Sequence, residues 1–242
     1  NTPLNPLSRG DFLLEILDDI EANLRKIHEH GSRADGIVKS MLQHSRGGDG
    51  KMEPTPLNPL IKEYVNLAFH GMRAGNDPIN VDIDLQLDDK VGEVPLVAED
   101  FSRVILNLVN NAFDAMGEKS ETSDVRRQTS ESPLGEPVPT PREGSERSEQ
   151  GDDSPGGYEP KLTVRTIREN DIVTIEIEDN GPGIPIKIKD NIMQPFFTTK
   201  KGTQGTGLGL SISNDIIKAH GGEINIASGK NGTTFSIDLK NV

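Results

Sequence analysis

Residues 194–210 read QPFFTTKKGTQGTGLGL, a polar loop that runs into a glycine-rich turn. The turn, Gly205-Thr206-Gly207-Leu208-Gly209-Leu210, is predicted to open a helix. Backbone N–H groups at a helix start bind anions when no side chains obstruct them. The turn is not a Walker loop, because no G-x-x-x-x-G-K-[ST] occurs. It is not a dinucleotide fingerprint either, because no strand runs directly into it. It therefore predicts an anion site where the helix begins.

Two adjacent phenylalanines, Phe196 and Phe197, precede this turn in a chain that has only 4% aromatic residues. One interpretation is a loop anchored in the core by one phenylalanine, and the other is a loop that belongs to a ligand site. Lys200 and Lys201 follow them and would bring positive charge close to an anionic ligand. Part of the motif is expected to anchor the loop in the core, and both interpretations stay open at this point.

Two further motifs lie upstream. Asn107 and Asn111 are four residues apart on a helix predicted from Asp100 to Met116, so both carboxamides can point into one site. Amide oxygens suit Mg²⁺, which keeps several waters and binds phosphates. Asp179-Asn180-Gly181-Pro182-Gly183 ends a predicted strand, where the carboxylate could accept a hydrogen bond from an exocyclic amine. Taken alone, the asparagines are common on helix surfaces, and Asp-Asn-Gly is a common turn.

Hydrophobic periodicity predicts an α+β fold. Apolar residues alternate with polar ones from Ile79 to Leu87, which indicates a strand, and a helix is predicted to start at Asn58-Pro59. Further strands are predicted at 161–168, 172–178, 223–227 and 233–239, with a helix at 208–219. The irregular alternation and the hairpin-like strand pairs predict a two-layer α/β sandwich, with a mixed sheet and helices on one face.

The composition changes between about residues 117 and 160, which are rich in Ser, Pro, Gly and Glu. Because the segment has few apolar residues to bury, burial cannot offset the entropy lost on ordering it. We therefore predict a disordered insertion inside the domain.

The N-terminal stretch has a different pattern, a heptad seam that predicts a helix from Asp11 to about Ser45 packed along another helix. Its apolar and small residues are spaced by four and three: Leu13, Leu17, Ile20, Leu24, Ile27, Gly31, Ala34, Val38, Met41 and Ser45. One stripe cannot bury itself, so a partner helix is expected. An amphipathic helix lying on its own domain is the alternative.

Charge and composition exclude several classes of function. The net charge of -13 argues against a nucleic-acid-binding surface, and the absence of cysteine excludes disulfides and thiolate metal sites. No apolar run is long enough to span a membrane. A cytoplasmic protein is expected. Because the chain begins at Asn1, we expect it to be part of a longer protein, and any membrane anchor would lie in upstream segments.

The order of these motifs resembles the catalytic ATP-binding domain of sensor histidine kinases. That domain has an asparagine box, Asp-x-Gly-x-Gly, a Phe-Phe-Thr-Thr box and Gly-x-Gly-x-Gly. The resemblance extends from about Leu57 to Leu239. The stretch HEHGSRADGIVKSMLQHSR, residues 28–46, also resembles the second helix of the dimerisation domain. The resemblance divides the chain into a dimerisation remnant at 1–48 and a catalytic domain at 49–242 with the Bergerat-type ATP-binding fold.

The resemblance also implies roles for individual residues, with ATP and Mg²⁺ as cofactors. Asn107 would coordinate Mg²⁺ with Asn111 assisting, and Asp179 would bind the adenine amino group. Residues 184–204 would form a mobile lid. The remaining ATP-binding residues are expected to be Gly181, Gly183, Phe197, Thr199, Lys200, Gly205, Thr206, Gly207, Leu208, Gly209 and Thr234, the last supporting Asp179 from a neighbouring strand.

The implied activity is transfer of the γ-phosphoryl of Mg-ATP to a histidine, for relay to the receiver domain of a response regulator, in a homodimer joined by the N-terminal helix. Hydrolytic relatives of this fold resemble one another in placing a Glu one turn before the first Asn, where this chain has Arg103. Arginine cannot activate water, which favours a kinase over a hydrolytic ATPase.

The phosphoacceptor itself is expected upstream of Asn1. His28 precedes Glu29 but lacks the proline expected nearby, and His30 and His44 fit less well. The remaining alternative is a non-catalytic ATP-binding scaffold that dimerises but transfers nothing.

Overall fold

The computed structural model describes residues 9–45, 50–75, 77–130, 158–200 and 205–240. Five helices and seven strands occur within these ranges. In chain order they are α1 (Arg9–Ser45), β1 (Glu53–Pro56), α2 (Leu57–Arg73), β2 (Asp82–Leu87), β3 (Glu93–Leu96), α3 (Ala98–Ser130), β4 (Lys161–Glu169), β5 (Ile172–Asp179), α4 (Ile186–Lys189), α5 (Gly209–Ala219), β6 (Glu223–Gly229) and β7 (Gly232–Lys240).

The main sheet has five strands in the order β2-β4-β5-β7-β6. β2 pairs with β4 in parallel, whereas the other neighbours are antiparallel, so the predicted mixed sheet is confirmed. β1 and β3 form a separate antiparallel pair. The register sets Asp179, at the end of β5, opposite Thr233 at the start of β7.

One face of the sheet is buried. Burial alternates along β5 and β7, as expected for strands with one face in the core. The helices α2, α3 and α5 supply the other layer. α2 buries Leu57, Ile61, Val65 and Ala68, whose spacing places them on one helical face. On the opposite face of the sheet Arg165 pairs with Glu176 and Glu178, so that face is polar. The two-layer sandwich is therefore confirmed.

Several element boundaries differ from the prediction. α3 does not end at Met116 but continues to Ser130, so the first part of the predicted insertion is helical. Residues 118–130 contain no Gly or Pro and several good helix formers, which outweighed their polar character. Residues 131–157, the rest of that insertion, lie outside the described residues. α2 begins at Leu57, and Asn58 does not cap it but bonds to the backbone O of Asp88.

α1 spans Arg9–Ser45, in agreement with the predicted helix. Its apolar seam is exposed: Leu13, Leu17, Ile20, Leu24 and Ile27 have between 49% and 67% of their surface accessible. The alternative in which the helix lies on its own domain is therefore not observed for these residues. The division predicted near residue 48 falls at residues 46–49, outside the described ranges. Within the described part of the chain, no helix is long and apolar enough to cross a membrane.

Candidate functional site

A cavity of about 920 Å³ lies between α3, the end of β5, the start of β7, the loop 182–200 and the start of α5. It brings together all but three of the residues that the sequence predicts for the site. Those that line it are Asn107, Asn111, Asp179, Gly183, Phe197, Thr199, Lys200, Gly205, Thr206, Gly207 and Gly209.

The asparagines lie on the α3 wall of the cavity. The Nδ2 atom of Asn107 donates to the backbone O of Gly209 at 3.2 Å and to Oγ of Ser213 at 3.4 Å. These bonds fix the carboxamide so that Oδ1 is the atom left to bind a cation. They also join α3 to the glycine-rich start of α5. That turn is the segment predicted to bind the phosphates.

Lys200 also lines the cavity. Its Nζ atom donates to Oδ1 of Asn111 at 3.3 Å and forms an ion pair with Asp114. The predicted positive charge is thus at the asparagine wall, held by a carboxylate. Lys201, which the sequence paired with it, lies outside the described residues. Asp114 was not predicted, although its position three residues after Asn111 places both on one helical face.

Asp179 is a buried carboxylate with 5% of its surface exposed. Its Oδ1 atom accepts a hydrogen bond from the N–H of Gly181 at 2.8 Å. Burial raises the pKa of Asp179 from its ordinary value to about 6, although backbone N–H groups of Gly181 and Thr233 and the charge of Lys119 oppose that shift. With a pKa of about 6 the carboxyl group is ionised at neutral pH and can accept a hydrogen bond from an amine.

Two glycines are required by the packing around the cavity. Gly183 has φ +76°, and a Cβ there would lie 1.7 Å from the backbone O of Gly229. Gly207 has φ +71°, and its Cβ would lie 2.4 Å from the backbone carbonyl carbon of Phe196. No L-residue with a side chain fits either place without moving the backbone. These positions therefore shape the cavity through close backbone contacts.

Apolar side chains form part of the cavity wall, and most of them were not predicted as binding residues. Ile184, Ile188 and Ile192 line the cavity together with Phe197. Their regular spacing by four residues in a loop otherwise rich in Lys, Asp and Asn was a signal that could have identified them. Of the two adjacent phenylalanines, Phe197 is half-buried and lines the cavity, whereas Phe196 is 49% exposed and does not. A flat apolar ligand would fit against this wall.

Three predicted residues do not line the cavity. Thr233 lies there in place of Thr234, because Thr233 is the β7 residue paired with Asp179 and the next residue points to the other face of the sheet. Leu208 is buried and packs behind the glycine turn. Gly181 acts through its N–H on Asp179, and a Cβ there would lie 2.8 Å from Oδ1 of that residue.

The segment predicted as a lid, 184–204, contains the short helix α4 and a series of turns. Residues 201–204 lie outside the described part of the chain. The mobility expected for this lid stays a prediction.

The fold and the cavity define an ATP-binding domain of the two-layer α/β type. The sequence profile of the histidine kinase-, DNA gyrase B- and HSP90-like ATPase family matches residues 97–242, more than half of the chain. The chain belongs to this family. Its similarity to the catalytic ATP-binding domain of sensor histidine kinases, predicted from the motifs, is confirmed by its relatives.

The chain is 32% identical over 221 residues to the sensor kinase CckA of Brucella abortus, covering 90% of this chain and 20% of that protein. It is 30% identical over 162 residues to the sensory histidine kinase/phosphatase NtrB of Klebsiella oxytoca, covering 67% of this chain and 38% of that protein. The chain thus spans well under half of the length of these relatives.

Solved structures agree with the sequence relatives. The catalytic domain of the histidine kinase ThkA matches with a TM-score of 0.55 and 27% identity, over 79% of this chain and 96% of that one. A structure of ThkA in complex with the response regulator protein TrrA matches with a TM-score of 0.59 over 96% of this chain and 56% of that one. At 23% identity, the second match supports the fold alone.

Proposed function

We propose that this chain is the catalytic part of a sensor histidine kinase, which binds Mg-ATP and transfers its γ-phosphoryl group to a histidine. The observation that carries the proposal is one cavity lined by the buried Asp179 carboxylate and by Asn107, Lys200 and the glycine-rich start of α5. The turn after Asp179 lies against Ala115 on α3, whereas Gly209 lies against Asn107, about two helical turns earlier. The two groups therefore suit the two ends of a ligand that has an amine on a flat base and a phosphate tail.

Adenine recognition follows from the chemistry of this end of the cavity. The ionised carboxylate of Asp179 accepts a hydrogen bond from the exocyclic amine of adenine. The isoleucines at 184, 188 and 192 contact the face of the base. Guanine carries a carbonyl oxygen where adenine carries the amine, and that oxygen would face the carboxylate, so ATP is preferred over GTP. An unpaired buried polar group disfavours the wrong base strongly.

Mg²⁺ fits the donor set at the phosphate end. Among the described residues no group of three His, Asp or Glu side chains could hold a metal by itself. Mg²⁺ usually takes only one or two protein ligands and completes its shell with waters and phosphates. Oδ1 of Asn107 is the proposed ligand, with Asn111 assisting at the phosphates. When bound, the ion neutralises charge on the β- and γ-phosphates as it develops during transfer.

Arg103 favours transfer over hydrolysis. It lies one helical turn before Asn107 and pairs with Glu99 at 2.8 Å and Asp100 at 3.5 Å. A guanidinium stays protonated and cannot remove a proton from water. Catalysis would then rest on positioning the phosphates and neutralising their charge. A non-catalytic scaffold is the less favoured alternative, because the relatives are named as kinases and most of the predicted binding residues line one cavity.

The partners are also proposed. The exposed apolar seam of α1 would form a homodimer interface, since a single helix cannot bury such a stripe alone. The histidine that accepts the phosphoryl group would lie on a helix that packs against this seam. A response-regulator receiver domain would then take the phosphoryl group, and the kinase ThkA has been solved in complex with such a response regulator protein, TrrA.

The test is phosphorylation with γ-labelled ATP, in the protein extended upstream of Asn1. Label that is acid-labile and base-stable indicates phosphohistidine, and it should vanish with Asp179→Ala. Asp171→Ala is the matched control, because Asp171 is an exposed residue in the turn before β5, the strand whose other end carries Asp179. Phosphate release without protein labelling would instead support a hydrolytic ATPase. ATP binding without either reaction would support the scaffold.

A further inference from the structure

Asn180 is bonded on all sides by the segment that leads into β4. Its Oδ1 atom accepts hydrogen bonds from the hydroxyl of Tyr158 and the N–H of Lys161, both at 2.9 Å. Its Nδ2 atom donates to the backbone O of Glu159 at 2.8 Å. The backbone N–H of Asn180 donates to the O of Lys161 at 3.2 Å. The side chain inside the Asp-Asn-Gly turn is therefore occupied by protein contacts and does not serve as a ligand.

Lys119 reaches the same turn from α3. Its Nζ atom donates to the backbone O of Asn180 at 2.7 Å and of Gly181 at 3.2 Å. It also lies 4.7 Å from the ring centroid of Tyr158, within range of a cation–π interaction. Lys119 precedes residues 131–157 in the chain and Tyr158 follows them. The two side chains are therefore far apart in sequence but lie together at this turn.

The Asn180–Gly181 turn directly follows Asp179 in the chain, and the groups around it affect the charge of the Asp179 carboxylate. Gly181, whose carbonyl binds Lys119, donates its own N–H to Oδ1 of Asp179. The positive charge of Lys119 lowers the pKa of Asp179 against the larger effect of burial. The charge of Asp179 in turn adds to burial in raising the pKa of Tyr158. Lys119 therefore acts on the charge of the Asp179 carboxylate, whereas Tyr158 and Asn180 hold the turn that follows it.

We propose that Lys119, Tyr158 and Asn180 form a clamp of positioning residues that holds the Asp179–Gly181 turn ready to bind adenine. None of the three lines the cavity, so they act through Asp179 and not on the nucleotide. The proposal rests on the proposed function, since it gives this turn a role in ATP binding. It also ties adenine affinity to both segments that flank residues 131–157.

The groups that act electrostatically on Asp179 come from each neighbouring element. Lys119 comes from α3 and stabilises the ionised form, whereas Glu178 on β5 disfavours it. Tyr158 precedes β4, and β7 contributes only the N–H of Thr233. Lys119 is thus the one positive charge among the groups that shift the pKa of Asp179 in the described structure. Its removal should leave burial and Glu178 opposed only by the N–H groups of Gly181 and Thr233, so the carboxylate should titrate at a higher pH.

The experiment compares Lys119→Met, Lys119→Arg and Tyr158→Phe with Lys218→Met, a control on the exposed side of α5. NMR titration of the Asp179 carboxyl carbon without nucleotide measures its charge, and calorimetry measures the dissociation constant of Mg-ATP. Lys119→Met should raise the titration midpoint and weaken ATP binding about three- to tenfold, because charged hydrogen bonds to the turn are lost. Lys119→Arg should restore most of both. Tyr158→Phe should weaken binding about two- to fivefold by freeing one side of Asn180.

The proposal is overturned if Lys119→Met and Tyr158→Phe change only the unfolding midpoint, leaving the Asp179 titration and the ATP affinity as in the control. A wild-type chain that is folded but binds no ATP would refute the proposed function instead. The NMR titration would still decide the electrostatic part of the clamp in that case, because it needs no ligand.

Discussion

Replacing Asp179 by Asn should stabilise the protein at neutral pH while removing its ability to bind ATP. Burial raises the pKa of Asp179 from 3.8 to about 6, so ionising it in the folded chain is unfavourable. A difference of about two pH units corresponds to an upper bound of about 3 kcal/mol at neutral pH. Asn keeps an Oδ1 atom that can accept from Gly181 but carries no charge. The pKa of about 6 already includes the attraction to Lys119, so we expect a net gain of about 1–3 kcal/mol.

The sign of the pH dependence makes this prediction specific. Between about pH 4 and pH 6 the folded wild type holds a proton on Asp179 that the unfolded chain has released, so this group stabilises the fold as pH falls. That contribution is complete below about pH 4 and is lost as pH rises through about 6. The advantage of Asp179→Asn should therefore be largest above about pH 7 and roughly halved at about pH 5.

Thermal or urea unfolding at these two pH values measures the effect, with Asp171→Asn as the control for a change in net charge. About 1 kcal/mol corresponds to a shift of about 2–4 °C in Tm for a chain of this size. If Asp179→Asn is no more stable than the wild type at neutral pH, or if the difference is equal at both pH values, the assignment of a buried, ionised carboxylate is wrong.

Three further predictions concern the same cavity. ATP affinity should fall by up to about tenfold per pH unit below about 6, as Asp179 takes up a proton and loses its charge; a pH-independent dissociation constant down to about pH 5 would contradict this. Gly183→Ala should destabilise the fold by more than about 2 kcal/mol in urea unfolding, because the new Cβ would collide with the backbone of Gly229. Gly221 has a similar φ but open space around it, so Gly221→Ala should cost only about 1 kcal/mol. Lys200→Met should weaken ATP binding about threefold or more in calorimetry without changing adenosine binding, since only ATP brings phosphates to that side chain. Equal losses for both ligands would show that the substitution had disturbed the loop itself.

Long periodic segments and spaced motifs were predictable from the sequence. The seam of α1 and the alternation in β5 and β7 follow local rules that tertiary contacts did not override. The order of the four motifs predicted which residues meet in the cavity, because helix periodicity places Asn107 and Asn111 on one face and the end of β5 opens toward it. These predictions depend on short-range geometry, which the sequence contains directly.

The remaining features depend on pairing that no local pattern encodes. β1 and β3 are four-residue strands that contain proline, and each exists through its pairing with the other. The choice between Thr233 and Thr234 depends on the register between β5 and β7, where a shift of one residue reverses the faces. The contact of Lys119 with Tyr158 and Asn180 joins three distant segments. No periodicity in the sequence indicated it.

Calorimetric titration of Mg-ATP into this chain, beside Asp179→Ala and Asp171→Ala, measures whether Asp179 is the carboxylate that binds adenine. We expect binding in the micromolar range for the wild type and for Asp171→Ala, and none for Asp179→Ala. Wild-type binding that survives Asp179→Ala unchanged would contradict the assignment of the adenine site. Absence of binding in a wild-type chain shown to be folded would contradict the proposed kinase and support the scaffold.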